Sequence, residues 1–88
     1  MAVFGSDPGD LRRMAARLEV EASRIESAVQ VIGQRVECIW WQGVDADRFR
    51  GDWEVSHLVR LRRLCERLRQ AAVECRGHAV AQERTSGV

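Results

Sequence analysis

Apolar residues recur along the first half of this chain at an interval of seven. Leu11, Leu18, Ile25, Ile32 and Ile39 form one row, and Ala15, Ala22, Val29 and Val36 stand four residues behind its first four members. Alternating steps of three and four put both rows on one stripe of an α-helix. Sustained over four repeats, such a stripe belongs to a helix that packs along its whole length against another. Small residues early in it allow a close approach at that end. Asp7-Pro8 starts the helix: Asp serves as N-cap, Pro takes the first helical position where its missing N–H is harmless, and Asp10 lies near the positive end of the dipole.

A second stripe reads Phe49, Trp53, His57, Leu61, Leu64, Leu68, Ala71 and Cys75, again at steps of three and four. Between the stripes stands Gly43, which suits the position just past a helix end, where positive φ is easy for Gly. Asp45 and Asp47 then favour the first turn of a new helix. Gly51 is a soft spot in it, worth about 1 kcal/mol against Ala. The pattern predicts a single domain over 1–88, with a helix over about 8–41, a turn at about 42–45 and a helix over about 46–80. A frayed tail over 82–88 follows.

The expected fold is all-α, an antiparallel two-helix hairpin with arms of roughly 50 Å at 1.5 Å per residue. A rod with one apolar stripe per helix needs a partner surface, so two hairpins are expected to dimerise into a four-helix bundle. The residues expected in the hairpin and dimer core are Leu11, Leu18, Ile25, Ile32, Ile39, Phe49, Trp53, Leu61, Leu64 and Leu68. A turn centred on Gly43 makes the numbers of facing residues sum to about 86. Glu19 then faces Arg67, Glu26 faces Arg60, and Gly33 faces Trp53.

Composition narrows the function classes. Charged residues make up 31% of the chain and the net charge is +1, so no strong field of one sign exists. All basic residues are Arg, and Lys, Asn and Tyr are absent, as in proteins from GC-rich genomes. No apolar run reaches the roughly 20 residues that span a bilayer. The first residues lack the basic start and apolar stretch of a signal peptide, so a protein made in the cytoplasm, and exported if at all by a route other than the general secretory one, is expected. The three Cys are odd in number and irregular in spacing. They read as packing thiols of a reducing compartment rather than as a disulfide framework.

Candidate chemistry is sparse. Cys75 and His78 share a helical face, but a zinc site needs about four convergent ligands, so no metal site is expected. His57 reads as an interface histidine. The carboxylates are scattered, no Ser or Cys has a base beside it, and no phosphate-binding loop exists, so neither catalytic residues nor a cofactor are expected. Arg residues between Arg60 and Arg76 flank the apolar stripe on both sides, with Glu19, Glu21 and Glu26 on the other helix to pair with them. Nucleic acid is therefore not an expected partner.

Trp41-Gln42-Gly43 at the turn, the block from Trp40 to Trp53 around it, and the matched helix lengths resemble the WXG family. These are the small helical-hairpin proteins of type VII (ESX) secretion systems, similar to early-secreted-antigen proteins. The segment Gln-Ala-Ala-Val-Glu-Cys-Arg-Gly-His-Ala-Val-Ala-Gln-Glu-Arg-Thr-Ser from Gln70 to Ser86 also resembles the C-terminal end of members from high-GC Gram-positive bacteria. The resemblance implies a protein that dimerises with itself or with a sister hairpin and is a secreted substrate, a co-substrate or an escort of a larger effector. It implies export by a membrane ATPase complex, with Trp41 in a composite recognition surface completed by a partner's Tyr-x-x-x-Asp/Glu signal. The chain has no Tyr and carries Val44 where many relatives have Pro. A tyrosine-bearing partner would then supply the signal, or the chain would act as a cytosolic escort. Trp41 as a plug of the bundle end, and the whole chain as a non-secreted helical adaptor, are the rival readings.

Overall fold

The computed structural model describes residues 7–37 and 44–86, and shows an all-helical hairpin measuring 67 × 18 × 17 Å. Helix α1 runs Pro8–Glu37. The second arm comprises α2 (Val44–Asp52), one π-helical turn (Trp53–His57) and α3 (Leu58–Ser86). The arms are antiparallel, as three ion pairs require: Arg12 with Glu83, Glu19 with Arg76 and Glu26 with Arg69, one number falling as the other rises. Asp7 caps α1 by accepting a hydrogen bond from the Gly9 N–H at 2.8 Å, and its carbonyl accepts the first helical bond from Leu11 at 3.1 Å. The second arm starts at Val44, inside the stretch expected to turn, and stays helical to Ser86 through the expected frayed tail. Arg12 holds Glu83 there from the other arm.

The seam between the arms is built from small side chains. Leu11, Ala15, Ala22 and Val36 of α1 are buried against Ala46, Trp53, Cys65, Ala72 and Ala79. No large side chain is completely enclosed, and no polar or charged residue is buried among the described residues. The Cys65 thiol donates to the Ala22 carbonyl at 3.6 Å, which fixes these two positions as facing each other.

Two departures from the sequence expectation have geometric causes. A straight α-helix drifts about 20° per seven residues relative to a heptad row. Measured from Ala22, the row Leu11, Leu18, Ile25, Ile32 moves from about 20° to about 80° off the seam. Exposure follows: Leu11 is 3% exposed, Leu18 and Ile25 are intermediate, and Ile32 is 42% exposed. The row Arg12, Glu19, Glu26, Gly33 drifts into the seam from the other side, so that Gly33 arrives under Trp53.

The second departure is the π turn. The heptad Ala46, Trp53 and the heptad Cys65, Ala72, Ala79 are separated by twelve residues, five beyond a heptad. In an unbroken α-helix, twelve residues would carry Cys65 about 120° from Trp53. The π turn, in which the Leu58 N–H bonds back to the Trp53 carbonyl, absorbs one residue and leaves about 20°. It therefore joins two seams that would otherwise be out of phase.

Candidate interaction face

The two long edges of the seam differ in chemistry. On one edge lie the three inter-arm ion pairs, whose members recur every seven residues on both arms. Arg76 reaches Glu19 with two hydrogen bonds, at 3.1 and 2.6 Å, and Arg12 and Arg69 bond to Glu83 and Glu26. This register corrects the expected pairs Glu19–Arg67 and Glu26–Arg60. Side chains lean toward the N-terminus of their own helix. In antiparallel arms, the residues at one level lean apart, and those about two turns farther along lean together. Hydrogen bonds from Arg76 and Arg12, and their positive charge, hold the Glu19 and Glu83 carboxyls below their ordinary values, and the three guanidiniums are raised in turn. All six side chains are about half exposed to solvent, so these pairs guide register more than they hold the arms.

The opposite edge is apolar. Leu18, Ile25 and Ile32 of α1 lie about 40°, 60° and 80° from Ala22, on the side away from the ion pairs. Leu61, Leu68 and Leu64 of α3 lie about 40°, 60° and 100° from Cys65 in the same sense. Ile32 and Leu64 are exposed, at 42% and 43%, and the other four are intermediate. The single hairpin thus does not enclose these six expected core residues; it gathers them along one shoulder between the arms. Leu11 and Trp53 are the expected core residues that the seam itself buries. Phe49 is 42% exposed, outside the seam. Ile39 and the turn motif Trp41 and Gly43 lie outside the described residues.

No known protein family's model matches the chain, and no curated protein or solved structure matches it either.

Other chemistry is thin. Among the described residues, no group of three His, Cys, Asp or Glu side chains could hold a metal ion. No described helix is long and apolar enough to cross a membrane. Cys65 is buried and Cys75 is half-buried, and both are free thiols. His57 is exposed, its ring tilted against that of Trp53 with centroids 6.4 Å apart. On the ion-pair edge a groove of about 710 Å³ opens beside the π turn, with Gly33 and Trp53 in its lining. The stacked heptads of Ala and Cys in the second arm were the signal of the true seam, and their phase break marked the π turn.

Proposed function

We propose that this chain is a WXG-type hairpin that works by binding a partner, as substrate, co-substrate or escort of a larger effector in type VII (ESX) secretion. The apolar shoulder carries the reading. Leu18, Ile25, Ile32, Leu61, Leu64 and Leu68 form a continuous strip on a hairpin whose own seam holds mainly Ala, and such a strip marks an interaction surface. Burying it against a second hairpin, a copy of itself or a sister chain, completes a four-helix bundle. Trp41 and Gly43, at the expected turn, supply the recognition surface that the resemblance implies. Secretion by the type VII route is the corresponding destination. The non-secreted adaptor is the second reading, favoured by the absence of any Tyr from these 88 residues.

The test is export from a host with a working type VII ATPase, against the same host lacking it. Culture-supernatant protein that disappears with the ATPase, and falls on Trp41→Ala while association persists, supports the secretion reading. A folded, partner-bound chain retained in the cytoplasm of both hosts selects the adaptor.

A further inference from the structure

The apolar shoulder has a charge pattern of its own. Arg17 and Arg35 both lie about 140° from Ala22 on the shoulder side, and Arg60 and Arg67 lie about 140° and 160° from Cys65 in the same sense. They edge the shoulder on both arms. All four are exposed, and none has an ion-pair partner among the described residues. The acids nearest this side on α1 and α3 are Glu21 and Asp10, each already paired with an Arg of its own helix, Arg24 and Arg13, and Glu74, which lies at the back of α3. On α2, the exposed Asp45 and Asp52 lie about 100° from Ala46 and Trp53 in the shoulder's sense, at one end of the strip. Glu19, Glu26 and Glu83 are on the opposite edge and committed to the inter-arm pairs. Four Arg against Asp45 and Asp52, none of the six in a salt bridge among the described residues, leave an excess of positive charge along this apolar strip.

We propose that the occupant of the shoulder is an amphipathic helical partner whose apolar stripe is edged by Asp and Glu, and not a second copy of this chain. The inference rests on the shoulder being a docking surface, as the proposed function has it. A two-fold dimer uses the same patch on both copies, so self-association sets these four guanidinium groups against an equally basic edge. An acid-edged partner turns the same positions into attraction, and like-charge juxtaposition is how a wrong partner is rejected. An anionic lipid surface also draws an Arg-edged apolar face. Here the strip lies in the shoulder between two helices, mostly half-buried, where another helix can lie along it and a flat surface reaches it poorly.

The experiment uses the full chain and a charge-reversed copy of it, Arg17→Glu, Arg35→Glu, Arg60→Glu and Arg67→Glu, as the acid-edged probe. Both are weighed by sedimentation equilibrium, alone and mixed, with helicity recorded on the same samples. The mixed pair is expected to be about tenfold or more tighter than either chain with itself at low salt, and the preference should shrink as salt rises. A neutral copy with Gln at the four positions keeps the test intact should the reversed one not fold, and it should self-associate more tightly than the parent. A parent homodimer as tight as the mixed pair, or as the Gln copy's homodimer, overturns the proposal in favour of a second copy. Binding of the parent to phosphatidylglycerol vesicles without mixed-pair formation overturns it in favour of lipid. A mixed pair that survives Leu64→Asp in both chains forms elsewhere and also overturns it. Helical monomers in every sample at about 100 μM would sink the docking surface itself, and the proposed function with it.

Discussion

The indole of Trp53 lies over Gly33, its Nε1 4.0 Å from where a β-carbon on Gly33 would stand. That spacing is an ordinary van der Waals contact, so Ala fits. Gly33→Ala should therefore stabilise the hairpin by about 0.5–1 kcal/mol through helix propensity, raising the urea midpoint. Gly33→Phe should lower it, because the indole has no room to retreat without leaving the seam.

The small-residue seam and the apolar shoulder should answer differently to substitution. Ala22 is fully buried opposite Cys65, and Ala22→Leu should force the arms apart at a cost of about 1–3 kcal/mol. Leu64→Ser, on the shoulder, should change the stability of the isolated hairpin by no more than about 0.5 kcal/mol. Ile25→Asp should abolish association through the shoulder, since it buries a charge in the completed bundle. Paired denaturation and light-scattering measurements on the three variants would show whether seam and shoulder separate in this way.

The π turn absorbs one residue, so removing one should be harmless there and damaging elsewhere. Deletion of Val55, 75% exposed, should convert the turn to regular α-helix with both seam halves still in phase, and leave the circular-dichroism melting curve as cooperative as before. Deletion of Gln70 should swing Ala72 and Ala79 about 100° out of the seam and unzip the far half of the hairpin, detectable as lost amide protection beyond residue 70.

Acid should loosen the ion-pair edge. Glu19 and Glu83 are lowered below their ordinary values by hydrogen bonds from Arg76 and Arg12. A lowered folded value means the contribution is complete above the unfolded value, about 4.3 for Glu, and is lost as pH falls through the folded one. The urea midpoint of the parent should drop between about pH 6 and pH 3 by more than that of the Glu19→Gln, Glu83→Gln variant. Equal slopes for the two proteins would mean the pairs contribute nothing.

Helices were legible because they rest on local signals. Asp7-Pro8 places the start of α1 from cap chemistry alone, and the heptad rows place its apolar side. Ile32, Leu64 and Phe49, apolar residues at the right spacing, stay exposed in the single hairpin, Ile32 and Leu64 on the shoulder from which the seam drifts away. Spacing alone does not say which of two adjoining apolar edges faces the other arm; the Ala and Cys heptads do, because only small residues let the helices touch. The ion pairs were one step harder to read, since facing levels pair only if side chains project straight out, and they lean. The turn motif Trp41 and Gly43, on which the family resemblance depends most, falls outside the described residues, so the site it implies stands on sequence.

Glu26–Arg69, Glu19–Arg76 and Arg12–Glu83 join residues 43, 57 and 71 apart in the chain, and Asp7 and Ser86 end up at the same end of the rod. A pull on those two ends loads the rungs one at a time, beginning with Arg12–Glu83, instead of shearing all of them together. The hairpin is therefore long but mechanically soft along that line. It can be peeled open from its free end by a modest force while the half near Trp53 is still closed.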